Sequence, residues 1–213
     1  MIVTALVLLA AAAAVPIPDW HKSPGRWDYK YIHGEWDYWL TDFIELGRNA
    51  MIGTLLKKHF GHPNAGPRIL DVGCGYGMQL DHLPHKWEQH YTGIDFSPVA
   101  IEKAKAKHRR FQHATFLNVS VESFVPPSPT MRYDAIVFNE VLYYVNLTDT
   151  LPRFASYLAR PHGLVVASTY AQGRTRNSDL HARILQYYTV VDQVTMIRPA
   201  DGLTFNISAL RPR

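Results

Sequence analysis

Three glycines at single-residue spacing, Gly73, Gly75 and Gly77, follow the run "ILDV" at Ile69–Val72, which carries the acid Asp71; Cys74 belongs to the same loop. A short apolar run ending in such a loop reads as a buried strand followed by bare backbone, which a flat or charged ligand can approach closely. A second apolar run, "YTGIDFS", ends in Asp95 and Phe96. A carboxylate there can accept hydrogen bonds from both hydroxyls of a ribose, and the Phe96 ring can lie against an adenine face. The G-x-G-x-G spacing departs from the G-x-G-x-x-G of dinucleotide sites, so a nicotinamide dehydrogenase is disfavoured.

These residues need a scaffold, and the pattern around them supplies one. The chain has 213 residues, 47% of them hydrophobic, which suits one α/β domain. Strands are expected at Ile69–Val72, Tyr91–Asp95, Thr115–Leu117, Asp134–Asn139 and Leu164–Thr169. Between them come a short helix ending near Pro84, one opened by Ser97 and Pro98 that reaches Arg110, and one from Asp149 to Leu158. After a helix near Ser178–Gln186, "YYTVVDQVTMI" and "LTFNISAL" read as two strands of a hairpin. The prediction is an α/β fold: a Rossmann-like, doubly wound, seven-stranded sheet, mostly parallel with its last strand antiparallel, flanked by helices. Ligands bind such a sheet at the carboxyl ends of its strands, where the glycine loop lies.

A net charge of +4 does not demand a nucleic-acid partner. Lys103, Lys105, Lys107, Arg109 and Arg110 alternate at helical spacing with Ala100, Ile101, Ala104 and His108, as on the solvated face of an amphipathic helix. The single cysteine forms no internal disulfide, and His59 with His62, or His82 with His85, lacks the further ligands of a metal site. Residues 1–18 form an apolar segment with the length of a signal-peptide core, but no Lys or Arg precedes it. It is expected to be either a signal or membrane anchor, giving a secretory or membrane-associated protein, or an apolar helix of a cytoplasmic one. Three sequons, at Asn118, Asn146 and Asn206, bear on the first alternative.

"ILDVGCGYG", "YTGIDFS" and "YDAIVFNEVLYYV" resemble motif I, the next acidic strand and the fourth-strand motif of class I S-adenosylmethionine-dependent methyltransferases. The resemblance covers about Arg68 to Thr169 and divides the chain into the segment 1–18, an aromatic lid at 19–66 and a methyltransferase core at 67–213. It implies S-adenosyl-L-methionine as cofactor: Gly73, Cys74, Gly75 and Gly77 against its amino-acid portion, Asp71 orienting the loop, Asp95 on the ribose and Phe96 on the adenine. Many relatives end the third strand in an acid that meets the adenine amino group. Here "FLNVSVES" offers Asn118 or Ser120, with Val119 between them.

The resemblance also implies that the end of the fourth strand, "NEVLYYV" from Asn139, faces the reacting methyl group. Glu140, Tyr143 and Tyr144 are the expected catalytic residues. Tyrosine faces attract a sulfonium or ammonium, and a carboxylate can hold or deprotonate an amine. The heptapeptide is similar to that of the nodulation N-methyltransferases, which implies an amine acceptor on a small molecule or peptide. A hydroxyl acceptor, or a cofactor-binding scaffold without catalysis, stands as the alternative. The Asn/Asp-Pro-Pro-Tyr motif with which enzymes grip a flipped base is absent, which argues against nucleic acid. Among Trp27, Tyr29, Tyr31, Trp36, Tyr38 and Trp39, the expected lid contacts to substrate are Tyr29 and Tyr31.

Overall fold

The structure is a computed structural model and describes residues 23–61, 66–170 and 179–213. The apolar segment 1–18, His62 and the expected helix start at Ser178 lie outside the described residues. Among those described, no helix is long and apolar enough to cross a membrane.

Seven strands form one sheet: β1 (Ile69–Val72), β2 (Tyr91–Asp95), β3 (Thr115–Asn118), β4 (Ala135–Asn139), β5 (Leu164–Tyr170), β6 (Tyr188–Arg198) and β7 (Leu203–Pro212). Their spatial order is β3-β2-β1-β4-β5-β7-β6. The β1–β5 neighbours pair in parallel, and β7 runs antiparallel to both β5 and β6. Order reverses at β1, so its glycine loop opens beside β4 at the switch point where doubly wound sheets bind ligands.

Both faces of the sheet are covered, and alternate residues of each strand serve opposite layers. Ile69, Ala135, Val137, Leu164 and Val166 pack with Ile52, Leu55 and Leu56 of α2 (Phe43–Phe60) and Ile101 and Ala104 of α3 (Pro98–Lys107). Leu70, Val72, Ile136, Phe138 and Val165 pack with Leu147, Leu151 and Phe154 of α4 (Leu147–Ser156) and with Leu180 and Ile184 of α5 (Leu180–Ile184). Within the segment 19–66, α2 packs on the β5, β7 and β6 end of the sheet, with Ile52, Leu55 and Leu56 buried in the core.

Local chemistry sets the helix starts. Asp42 accepts from the Ile44 and Glu45 N–H groups, Ser97 from Ala100 and Asn146 from Thr148, each satisfying first-turn donors that the helix leaves unpaired. As expected, Ala100, Ile101, Ala104 and His108 are buried while Lys105, Lys107, Arg109 and Arg110 are exposed. Two expectations differ from the structure. The helix expected to end near Pro84 is a 3₁₀ turn, Met78–His82, which starts from a left-handed Gly77, and a second 3₁₀ turn, His85–His90, follows Pro84. The stretch from Arg26, which shows no clean period, contains a helix, α1 (Pro24–Ile32), opened by its proline.

Candidate functional site

The glycine loop folds back over β2. Gly73 and Cys74 N–H groups both donate to the Ile94 carbonyl, at 2.8 and 3.0 Å. Gly73, Gly75 and Gly77 have φ of 68°, 52° and 70°, left-handed values that favour glycine. Their bare faces meet different neighbours. A Cβ on Gly77 would stand 2.8 Å from Phe116 and 3.0 Å from His108, so that glycine serves core packing. A Cβ on Gly75 would stand 3.0 Å from the Tyr31 hydroxyl, so this buried glycine lies directly under α1. Cys74 points inward against Gly93 and is buried.

Asp95 is the junction of the site. One carboxylate oxygen accepts the Gly75 N–H at 3.0 Å and the other the Ser97 N–H at 2.9 Å. A carboxylate accepts more than two hydrogen bonds, so Asp95 can hold the loop and still accept from a ribose hydroxyl. Burial raises its pKa to about 6, against the lowering effect of those backbone bonds. Asp71 lies beneath the loop and accepts the Tyr91 hydroxyl at 2.6 Å. Burial lifts it to about 7.

The Asp71 shift carries a stability consequence. In the unfolded chain it ionises near its reference value of 3.8, whereas in the folded protein it keeps its proton to about pH 7. Between those values the folded state binds the extra proton, so raising the pH costs stability. Asp71→Asn keeps an oxygen for Tyr91 and cannot ionise. The melting temperature of this variant relative to wild type, without cofactor, is therefore expected to climb from pH 4 to pH 7; a constant difference would refute the assignment.

The third-strand alternatives resolve into distinct positions. Asn118 donates to the Asp95 and Phe96 carbonyls at 3.1 and 2.9 Å, and the Val119 N–H donates to Asp95 at 3.0 Å, closing the end of β3 onto β2. Ser120 turns away, its hydroxyl bonding the Ser123 hydroxyl and N–H, both at 3.2 Å. Asn118 is thus the residue beside Phe96.

At the end of β4, Glu140 has a φ of 60°, the one non-glycine residue in the left-handed region among those described. Its side chain is fixed on three sides. Tyr143 donates to it at 2.8 Å, Ser168 at 2.7 Å, and the Arg48 guanidinium lies 3.6 Å away. Arg48 also pairs with Glu45, and burial raises the Glu45 pKa. Two carboxylates therefore share one guanidinium. Tyr143 accepts the Tyr170 N–H besides donating to Glu140, so this phenol is a brace within the site. Burial and the Glu140 charge push Tyr144 up to about 12, which keeps its hydroxyl protonated. The rings of the two adjacent tyrosines meet edge-on, with centroids 5.8 Å apart.

The lid departs from expectation. Tyr29 is 55% exposed and packs on His33 with ring centroids 4.1 Å apart, whereas Tyr31 is buried against Tyr76. Residues two apart on a helix lie on opposite sides, so Tyr29 and Tyr31 cannot share a face. Four residues before Tyr31, Trp27 shares its face and sits edge-on to both Tyr144, at 5.2 Å, and Phe96, at 6.1 Å. The lid is tied down by Asp28 accepting the Ser97 hydroxyl, Lys103 donating to the Tyr31 carbonyl, and Tyr76 donating to Asp37 at 2.6 Å.

Asn139 donates to Asn49 of α2 at 3.0 Å, while its own carbonyl oxygen is buried without a hydrogen-bond partner. A buried orphan acceptor costs free energy until a donor arrives. Beside the glycine loop it fits an ammonium group, such as that of an amino-acid-bearing nucleoside. The residues present suit that ligand: the glycine loop, the Asp95 carboxylate, the Phe96 ring and this acceptor.

The profile of the methyltransferase domain family matches residues 45–206. A ubiquinone biosynthesis O-methyltransferase of Albidiferax ferrireducens is 31% identical over 109 residues, 50% of this chain and 42% of that protein. The chain spans about half the length of the curated relatives it matches. A 1,6-didemethyltoxoflavin-N1-methyltransferase from Burkholderia thailandensis, solved with S-adenosylhomocysteine, is 19% identical, with a TM-score of 0.69 over 95% of this chain and 93% of that one. The N-methyltransferase NodS from Bradyrhizobium japonicum WM9, also solved with S-adenosylhomocysteine, is 23% identical, with a TM-score of 0.64 over 81% and 89%. With the expected doubly wound, seven-stranded sheet observed and the family profile matching residues 45–206, the chain belongs to the methyltransferase domain family and has the class I fold.

Proposed function

We propose that this protein is an S-adenosylmethionine-dependent methyltransferase of a small molecule and that its acceptor is an amine nitrogen. The observation that carries the second half is the Glu140 carboxylate, immobilised by Arg48, Ser168 and Tyr143 beside the aromatic faces of Tyr144 and Trp27. Support for the first half comes from the family match and from the fit of Gly75, Asp95, Phe96 and Asn139 to a nucleoside bearing an amino acid. The named relatives include both O- and N-methyltransferases, so their names do not choose the atom.

Bound there, the cofactor supplies an activated methyl group on a sulfonium sulfur. The chain's own residues orient and shield. Asp95 fixes the ribose end, Asn139 the amino-acid end, and α1 lies across the cleft to exclude water. Glu140 has both oxygens engaged, one by Tyr143 and the other by Ser168, with the Arg48 guanidinium beside them. Its role is to stabilise positive charge growing on the acceptor nitrogen; the proton that nitrogen must lose before attack is released to solvent. Tyr144, kept protonated, offers a ring face and a hydroxyl.

The test is turnover to S-adenosylhomocysteine with a panel of small amines and their matching alcohols. Turnover with amines alone supports the reading, and turnover with alcohols alone overturns the nitrogen. Removing residues 1–18, which lie upstream of every residue used here, is expected to leave S-adenosylhomocysteine affinity within about twofold by calorimetry, about 0.4 kcal/mol. Loss of binding by a folded truncated protein would contradict this.

A further inference from the structure

Trp27 has no part in the sequence motifs, yet its position is specific. It is half-buried on α1, edge-on to Tyr144 with ring centroids 5.2 Å apart and planes at 80°, and stacked on Trp36 at 5.6 Å. Tyr144 in turn meets Tyr143 edge-on at 5.8 Å and feels the negative charge of Glu140. Two rings at right angles leave a corner bounded by two π faces, and a carboxylate lies behind this one. The cluster already attracts one cation: the Lys30 ammonium sits 4.3 Å over the Trp36 ring. Corners of this kind suit a methylated ammonium, which is too diffuse to hydrogen-bond strongly and is drawn to ring quadrupoles.

We propose that Trp27 is a specificity-determining residue of the acceptor site, forming with Tyr144 an aromatic corner that binds the substituted ammonium produced on the acceptor nitrogen. The inference rests on the amine reading above and adds the residue that recognises it. It also assigns α1 a recognition role besides covering the cleft. A primary amine would gain little from such a corner, since its ammonium is strongly hydrated. Secondary and tertiary amines, whose products carry more methyl groups, are the favoured class.

The probe is tetramethylammonium chloride, titrated into protein saturated with S-adenosylhomocysteine and read by tryptophan fluorescence and calorimetry. Tert-butanol, uncharged and of similar shape, is the control. Expected are saturable binding of the cation, weaker binding of the alcohol, and a loss of about three- to thirtyfold in cation affinity on Trp27→Leu. Trp27→Phe should retain affinity within about threefold because it keeps a ring face, and Tyr144→Leu should lose as much as Trp27→Leu. S-adenosylhomocysteine affinity verifies that each variant is folded; should Trp27→Leu fail to fold, the Phe and Tyr144 variants decide. Absence of saturable cation binding, equal binding in Trp27→Leu, or alcohol binding as tight as the cation overturns the proposal. If the cation binds through Trp27 but methyl transfer proceeds to oxygen, the amine reading falls and the corner stands. If N-methylation is unchanged in Trp27→Leu, the corner falls and the amine reading stands.

Discussion

Asp95→Ala is expected to weaken S-adenosylhomocysteine binding by about a hundredfold to ten-thousandfold. Two charge-assisted hydrogen bonds to the ribose disappear, each contributing about 1.5 to 3 kcal/mol. The geometry adds to the loss, because the same carboxylate holds the Gly75 and Ser97 N–H groups and thereby shapes the loop. Asp95→Asn, which keeps one acceptor oxygen, should lose less. Since Asp95 ionises only above about pH 6, wild-type affinity should also fall as the pH drops below that value, and the alanine variant should not share this dependence. Calorimetry on the three proteins between pH 5 and 8 measures both; unchanged affinity in Asp95→Ala would reject the site.

Glu140→Gln is expected to reduce kcat by about ten- to a hundredfold, with cofactor affinity little changed. The substitution is nearly isosteric and keeps one acceptor oxygen for Ser168 or Tyr143, so the main loss is that of a charge facing a developing cation, about 1.5 to 3 kcal/mol. The kcat of wild type should rise with pH until the acceptor amine is unprotonated. A loss approaching ten-thousandfold would instead make Glu140 a general base, and turnover equal to wild type would remove it from the mechanism.

Strand ends were the legible part of this molecule. Asp95 and the glycine loop were found because a buried strand leaves a continuous apolar run, and the residues that punctuate it are local in sequence. Tyr143 and Tyr144 were legible as candidates beside Glu140, though that Tyr143 braces it required coordinates. Glu45, Arg48 and Asn49 were missed as site residues. They reach the end of β4 from α2, some ninety residues upstream, through ion pairs and an amide bond that leave no trace in local periodicity. The lid was less legible for a different reason: its mixed aromatic and polar residues give no clean period, and only the helical turn of α1 separates Tyr29 from Trp27 and Tyr31. The strained backbone at Glu140 was likewise invisible, since glutamate carries no preference for that conformation.

The central claim is that the cofactor's methyl group is delivered to a nitrogen at the end of β4. Reaction of the wild-type protein with S-adenosylmethionine labelled in its methyl group with carbon-13, over a panel of small secondary and tertiary amines, tests it most directly when the product is examined by carbon–nitrogen correlation NMR. The account predicts a labelled methyl bonded to nitrogen and an equal yield of S-adenosylhomocysteine. A label found on oxygen or carbon, or S-adenosylhomocysteine binding with no transfer to any acceptor, would contradict it.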